Sequence, residues 1–495
     1  MRFLGYLSGL PGLDKTPRPG NRPRELTSSF VDLLPPFAPV FTDPTYQTVV
    51  AIGAGRVLSR RHRFVTEVIS SGGHVGNGHR SRSHRSFRQA ARDSDTFSMD
   101  LAEPVVTILA PGAALFRAVD DPLWRQRGLT LHGAGLHYDP LISSRSPAPV
   151  SRGHDRVVLG LIVVHPFRAP TKVLALPLAA RRYRNRQGLT QGKKSPGRAT
   201  KAKTARTETA RAETARAKAQ TDPNPRTRPE SARELIPLVA RWFPDDEIIL
   251  LGDGAYGGQS LLSHLPPKVH LISRVAPNAA LSEPAPPKIK GTKGPARKKG
   301  NRLPGLAEGV PDPKRPRTQL EFDRFGLHAT SAVKTMQALY YPAGRDRLPT
   351  IVSARDLEGK RPDQMFSCTE LDRAVQQIPS ASGCRRAIEC TFEYCKQFPG
   401  LEDPANRLRK AVERTAPPAS FIYTIVVVWF HRTGRQFLQF PERPWYPRKA
   451  EPSFADRLTT PRRRSYDEKT EGGLPKPSPL RTWIARLTEL LSRTG

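Results

Sequence analysis

Four carboxylates and two cations stand out as groups whose types and spacing could do chemistry. Asp120 and its neighbour Asp121 end an apolar stretch, Asp253 ends another, and Glu389 falls in a segment of helical periodicity. Phosphodiester cleavage by paired divalent ions needs carboxylates from separate elements converging on ions about 4 Å apart. Hard cations such as Mg²⁺ prefer oxygen ligands and keep positions open for water and phosphate. Asp120 (or Asp121), Asp253 and Glu389 together meet that requirement as catalytic and metal-binding groups. Taken singly, each is an ordinary acid at an exposed strand end. At about 100° per residue, Arg385, Glu389 and Lys396 fall on one helix face, beside an apolar stripe of Ile388, Phe392 and Cys395. A carboxylate flanked by two cations suits an ion together with DNA phosphates. An i, i+4 ion pair with a solvated Lys explains the same residues taken alone.

The charge of the whole chain agrees with a polyanionic partner. Over 495 residues, 80 Lys and Arg stand against 45 Asp and Glu, a formal net charge of +35. So large a surplus repels itself in a compact fold unless a polyanion neutralises it. Nucleic acid is the obvious one, because each neutralised phosphate releases condensed counterions. No apolar run approaches the roughly 20 residues of a spanning helix, and the longest, Phe421–Phe430, reads as buried core. The broken apolar stretch at the N-terminus is not that of a secretory signal. A cytoplasmic, nucleoid-associated prokaryotic protein with no membrane partner is expected. Cys368, Cys384, Cys390 and Cys395 form no CxxC pair, so they read as reduced thiols rather than a zinc site.

The elements that must position these residues follow from pattern. Residues 1–45 read as a flexible arm and 46–104 as a basic, helical DNA-binding region. His62, His74, His79 and His84 lie in that region without acidic or thiol companions, and so belong to a basic surface rather than a metal site. Ala113–Asp121, Val157–Val164 and Lys172–Leu178 read as three strands, the second central by its apolar run and the third broken at Pro177. A Thr-Ala-Arg/Lys repeat makes 191–230 a low-complexity basic linker. Ser231–Phe243 reads as an amphipathic helix capped by Ser231. Strand Glu247–Gly252 then leads to Asp253, a short helix at Gln259–Leu265 and a fifth strand at Val269–Val275. Pro, Lys and Gly mark 276–345 as a partly disordered insertion. A strand at Thr350–Ser353 and the Glu389 helix complete the unit within 346–430. A basic tail at 431–495 ends in a helix near Trp483–Ser492. This order matches an α/β, ribonuclease H-like mixed sheet flanked by helices, assembled from 105–190, 231–275 and 346–430.

The segment RRAIECTFEYCK, carrying Arg385, Glu389 and Lys396, resembles the Tyr-Arg-Glu-Lys signature of bacterial insertion-sequence DDE transposases. AVDDPLWRQRG resembles their first-Asp motif and LLGDGAYGG their second, in the right order over roughly residues 105–430. Ser382 stands where the signature has Tyr, Arg386 where Trp is common, and Pro122 where Thr often follows the first Asp. The resemblance implies that Asp120 (or Asp121), Asp253 and Glu389 bind two Mg²⁺ ions, with Mn²⁺ able to substitute. It further implies that Arg385 and Lys396 grip phosphates, and that a homodimer joins double-stranded element ends to target DNA. Tyr256, just after the second Asp, is equally explained by core packing. Three other readings stay open: an inactive or domesticated DNA-binding remnant, a non-catalytic basic nucleic-acid-binding protein, and a ribonuclease H-like nuclease without strand transfer.

Overall fold

Val157 to Val163 are buried without a break, as a strand covered on both faces must be. The computed structural model describes residues 26–60, 62–72, 81–88, 94–110, 115–139, 141–142, 150–165, 172–183, 226–276, 278–288, 295–303, 317–324, 326–340, 348–359, 361–404, 406–440 and 446–473. His74, His79, most of the arm, most of the linker and the expected helix at 483–492 lie outside them. In chain order the helices are α1 (Ser28–Val31), α2 (Asp43–Leu58), α3 (Val65–Ser71), α4 (Ser81–Arg88), α5 (Ser94–Leu109), α6 (Arg228–Trp242), α7 (Gln259–Leu262), α8 (Gln377–Cys384), α9 (Arg386–Gln397), α10 (Arg409–Arg432) and α11 (Phe454–Gly473). The strands are β1 (Leu115–Asp120), β2 (Leu123–Arg125), β3 (Gly135–Tyr138), β4 (Val150–Val164), β5 (Val173–Arg182), β6 (Ile248–Gly252), β7 (Val269–Arg274), β8 (Thr318–Arg324), β9 (Leu327–Gln337), β10 (Thr350–Asp356) and β11 (Gln364–Cys368).

The chain divides into two units, one of Met1–Leu109, Trp124–Gly153 and Phe392–Gly495, the other of Ala110–Leu123 and His154–Thr391. In the first, Phe37, Phe97 and Phe421 meet with ring centroids 5.0–5.8 Å apart. The run Phe421–Phe430 is buried throughout as part of α10. No helix among the described residues is long and apolar enough to cross a membrane. The basic tail contains α11, whose inner face buries Arg457, Arg462 and Arg463 beside Phe454 and Leu458. Arg462 donates to the carbonyls of Val57 (2.6 Å) and Ser59 (2.7 Å), satisfying acceptors that the end of α2 leaves open.

The second unit is built on one mixed sheet. β5, β4 and β1 run antiparallel to their neighbours, and β1, β6 and β7 run parallel. Antiparallel β11, β10, β9 and β8 continue it outward. Three antiparallel strands followed by two parallel ones, with helices on the faces, form the expected ribonuclease H-like mixed α/β fold. On one face Val119, Val157, Leu159, Ile248 and Leu250 pack under Ala232, Leu235, Ile236 and Val239 of α6. On the other, α9 sits so close that a Cβ at Gly160 would lie 3.3 Å from Ile388 Cδ1. Thr391 Oγ1 also donates to the Ala175 carbonyl at 2.8 Å. The Glu389 helix is thereby held on the sheet by Ile388 against Gly160 and by the Thr391 hydroxyl on Ala175.

Several expected boundaries are corrected. β5 runs through Pro177 to Arg182 rather than breaking there. Pro177 faces Gly160 where the β4–β5 register shifts, and among the described residues β5 pairs only with β4, so the missing N–H falls on an edge strand and at a bulge. α6 begins at Arg228 and is capped by Thr227, not Ser231; Thr227 and Glu230 form a reciprocal capping box. The insertion, read as partly disordered, supplies β8 and β9. Cys384 ends α8, whereas Cys390 and Cys395 lie on α9; none of the four is in a disulfide.

Candidate active site

Asp120 is the last residue of β1, and Asp121 lies just beyond the strand rather than within it. Successive residues of an extended chain point to opposite faces, and the two carboxylates accordingly meet different partners. Asp120 shares the α9 side with Arg385, whose Nη1 is 3.1 Å from Asp120 Oδ1. Arg385 Nη2 donates to Glu389 Oε1 at 2.8 Å. Arg385 is the residue that closes α8, one position ahead of α9, so it is not part of the Glu389 helix as expected. It nonetheless makes the i, i+4 pair with Glu389.

Asp253 follows β6 at the start of a turn, where Ala255 N–H donates to its Oδ1 at 2.9 Å. It is within electrostatic reach of both Asp120 and Arg385. Burial, ahead of every other influence, pushes the Asp120 carboxyl above its ordinary value; Arg385 pulls it down, and Glu389 and Asp253 push it further up. Burial also opposes the Arg385 charge, but Asp120, Glu389 and Asp253 outweigh it and hold the guanidinium protonated. Three acids from a strand end, a post-strand turn and a helix are thus gathered around one guanidinium.

Asp121 faces the other way. Tyr256 donates its hydroxyl to Asp121 Oδ1 at 2.8 Å, and Arg228 Nε lies 2.7 Å from Asp121 Oδ2. Arg228 also donates to Asp155 Oδ2 from Nε (2.9 Å) and Nη2 (2.5 Å), and it lies over the Tyr183 ring. Burial and the neighbouring Asp155 push Asp121 up to about 7, against the pull of Arg228. Burial likewise pushes Asp155 up to about 6. One cation does not neutralise two buried carboxylates.

Sequence reasoning missed Asp155 and Arg228 and left Tyr256 equally explained by core packing. The Thr227–Glu230 capping signature could have located Arg228 at a helix start, but its pairing with Asp155 depends on chain segments far apart in sequence. Lys396 pairs with Glu402 at 3.0 Å within the first unit. In that unit His62 lies beside Phe64, ring centroids 5.2 Å apart.

Among the described residues, no three His, Cys, Asp or Glu side chains converge closely enough to share a metal ion as they stand. Arg385 provides the positive charge among these acids. The donor set still fits a hard divalent cation: carboxylate oxygens only, three acids to one guanidinium.

The sheet order is that of a ribonuclease H-like mixed α/β fold. Residues 36–339 match the family described as DDE superfamily endonuclease. That span is more than half of the chain, and the chain belongs to this family. Membership makes it a transposase-type, metal-dependent nuclease at the general level, with DNA as the implied substrate. No curated protein matches it. The matched span includes Asp120 and Asp253 and ends before Glu389.

Proposed function

We propose that the chain is a DNA transposase of the insertion-sequence type with the Tyr-Arg-Glu-Lys signature, cutting element ends and joining them to target DNA. The observation that carries this reading is the Arg385 bridge between Asp120 and Glu389, with Asp253 inside its electrostatic field. Asp120, Asp253 and Glu389 are the residues that would hold two Mg²⁺ ions, or Mn²⁺ in their place. Bound there, the ions supply Lewis-acid activation of water and of a 3′-hydroxyl. Asp120 is preferred to Asp121 as ligand because both oxygens of Asp121 are engaged by Tyr256 and Arg228.

The protein's own groups have separable tasks. Asp120 and Glu389, on a rigid strand end and a docked helix, fix the spacing of the acids. Ala255 N–H holds one oxygen of Asp253 and so orients the other. Arg385 offsets the charge of the acids, and its fork would match the non-bridging phosphate oxygens of bound DNA. Lys396 is the second phosphate contact in this reading, and α2–α5 belong to the DNA-binding region of 46–104. Two copies holding paired ends make a homodimer the working assembly, in a prokaryotic, nucleoid-associated setting.

The test is a strand-transfer assay with the DNA that flanks the coding region, a target plasmid and Mg²⁺. End cleavage followed by joining supports the proposal. Cleavage without joining favours a nuclease lacking transfer, and binding without metal-dependent cleavage favours an inactive remnant.

A further inference from the structure

Four residues from four elements form a continuous array beside the three acids: Asp155 on β4, Arg228 opening α6, Asp121 after β1, and Tyr256 in the turn after β6. Arg228 joins Asp155 to Asp121, and the Tyr256 hydroxyl joins Asp121 to the turn. The same Tyr256 donates its backbone N–H to the Asp253 carbonyl at 3.2 Å. One residue therefore holds the neighbour of Asp120 through its side chain and Asp253 itself through its main chain.

The surroundings leave Tyr256 little freedom. Its side chain is fully buried among Val119, Leu250 and Leu271, and a Cβ at Gly252 would come 2.9 Å from the Tyr256 Cβ. Glycine at the end of β6 is thus what lets the Tyr256 ring fold back beneath the strand. Because adjacent residues of an extended chain point oppositely, holding Asp121 toward α6 holds Asp120 toward α9. Arg228 is anchored in turn by the capping box at the first turn of α6 and by the Tyr183 ring 5.2 Å away.

We propose that Tyr256 and Arg228 are positioning residues that set the relative placement of Asp120 and Asp253, through Asp121 and the turn after β6. This inference rests on the reading of Asp120, Asp253 and Glu389 as the metal-binding acids. Groups that orient ligands from behind typically change metal affinity about 10–100-fold when altered. Tyr256→Phe keeps the ring and removes only the hydroxyl; Arg228→Lys keeps the charge and removes the fork.

The experiment is calorimetric titration of the full chain with Mn²⁺, on wild type, Glu389→Gln, Tyr256→Phe and Arg228→Lys, with thermal unfolding recorded for each. Expected is saturable binding by wild type, loss in Glu389→Gln, and about 10-fold or greater weakening in Tyr256→Phe and Arg228→Lys that still unfold cooperatively. Wild-type affinity in both positioning variants alongside loss in Glu389→Gln overturns the inference and leaves the acid site intact. Absence of Mn²⁺ binding by wild type overturns the acid site and the inference with it. Should Tyr256→Phe not fold, Arg228→Lys decides between these results.

Discussion

The guanidinium of Arg385 lies 3.1 Å from Oδ1 of Asp120. Its other terminal nitrogen reaches Glu389, so one side chain occupies the position between two acids where positive charge is most favoured. On the proposed reading, the same oxygens would hold a metal ion, so Arg385 would compete with it.

Arg385→Ala is expected to lower metal-free stability by about 1–2 kcal/mol, a modest figure because Glu389 is half-exposed and its pair screened by solvent. Mn²⁺ is expected to raise the Tm of this variant by more than it raises that of wild type, since a cation that binds only the folded state stabilises by mass action. Thermal unfolding with and without Mn²⁺ measures both, and equal shifts would show that Arg385 does not compete with metal.

The Asp121–Asp155 pair gives a pH dependence with a definite sign. Both carboxyls are raised from 3.8, to about 7 and about 6, so the folded state keeps protons that the unfolded chain has released. Their contribution to stability is full below about pH 4 and is lost as pH rises through 7. The Tm of wild type is expected to fall more steeply between pH 4 and 7 than that of Asp155→Asn. Parallel curves for the two proteins contradict this.

Arg117 is a fully buried charge in β1, and its Nε and Nη2 find no hydrogen-bond partner among the described residues. Burial pushes its pKa down to about 9, with Asp246 opposing the shift; the Phe243 ring lies 5.3 Å from the guanidinium. Replacement by Leu removes a costly desolvated ion and is expected to stabilise the protein by about 1–4 kcal/mol. Urea unfolding checks this, and a destabilised variant would show that the Asp246 and Phe243 contacts outweigh the desolvation.

Gly160→Val is expected to lift α9 from the sheet, because even a Cβ would meet Ile388 Cδ1 at 3.3 Å and the Leu176 carbonyl at 3.4 Å. Overpacking of this kind costs about 1–3 kcal/mol. DNA cleavage should fall about 10-fold or more if Glu389 shifts, following the sensitivity of reacting groups to small displacements. Unchanged cleavage would mean that the Glu389 position tolerates movement of its helix.

What the sequence disclosed depended on how each element makes its contacts. The run at 157–163 was legible because a central strand is apolar on both faces. The polar start of β4, which pairs with β3 from Val150 to Gly153, carries no such signal. β8 and β9 were overlooked inside a Pro- and Lys-rich stretch, although Leu320 and Phe322 alternate with polar residues as strand positions do. α11 was hidden because its buried face consists partly of Arg457, Arg462 and Arg463, which hydropathy reads as surface. Asp120, Asp253 and Glu389 were legible as acids at the ends or faces of regular elements. The different partners of Asp120 and Asp121, and the array of Asp155, Arg228 and Tyr256, came only from the folded arrangement of distant segments.

The central claim is that Asp120, Asp253 and Glu389 act as one unit, and a double-mutant cycle on Mg²⁺-dependent end cleavage addresses it directly. Asp120→Asn and Glu389→Gln should each lower the rate about 10³-fold or more, and the double variant should fall no further, as groups that act together are strongly non-additive. DNA affinity should stay near that of wild type in all three. A single variant that cleaves at the wild-type rate, or losses that simply add, would contradict a shared site.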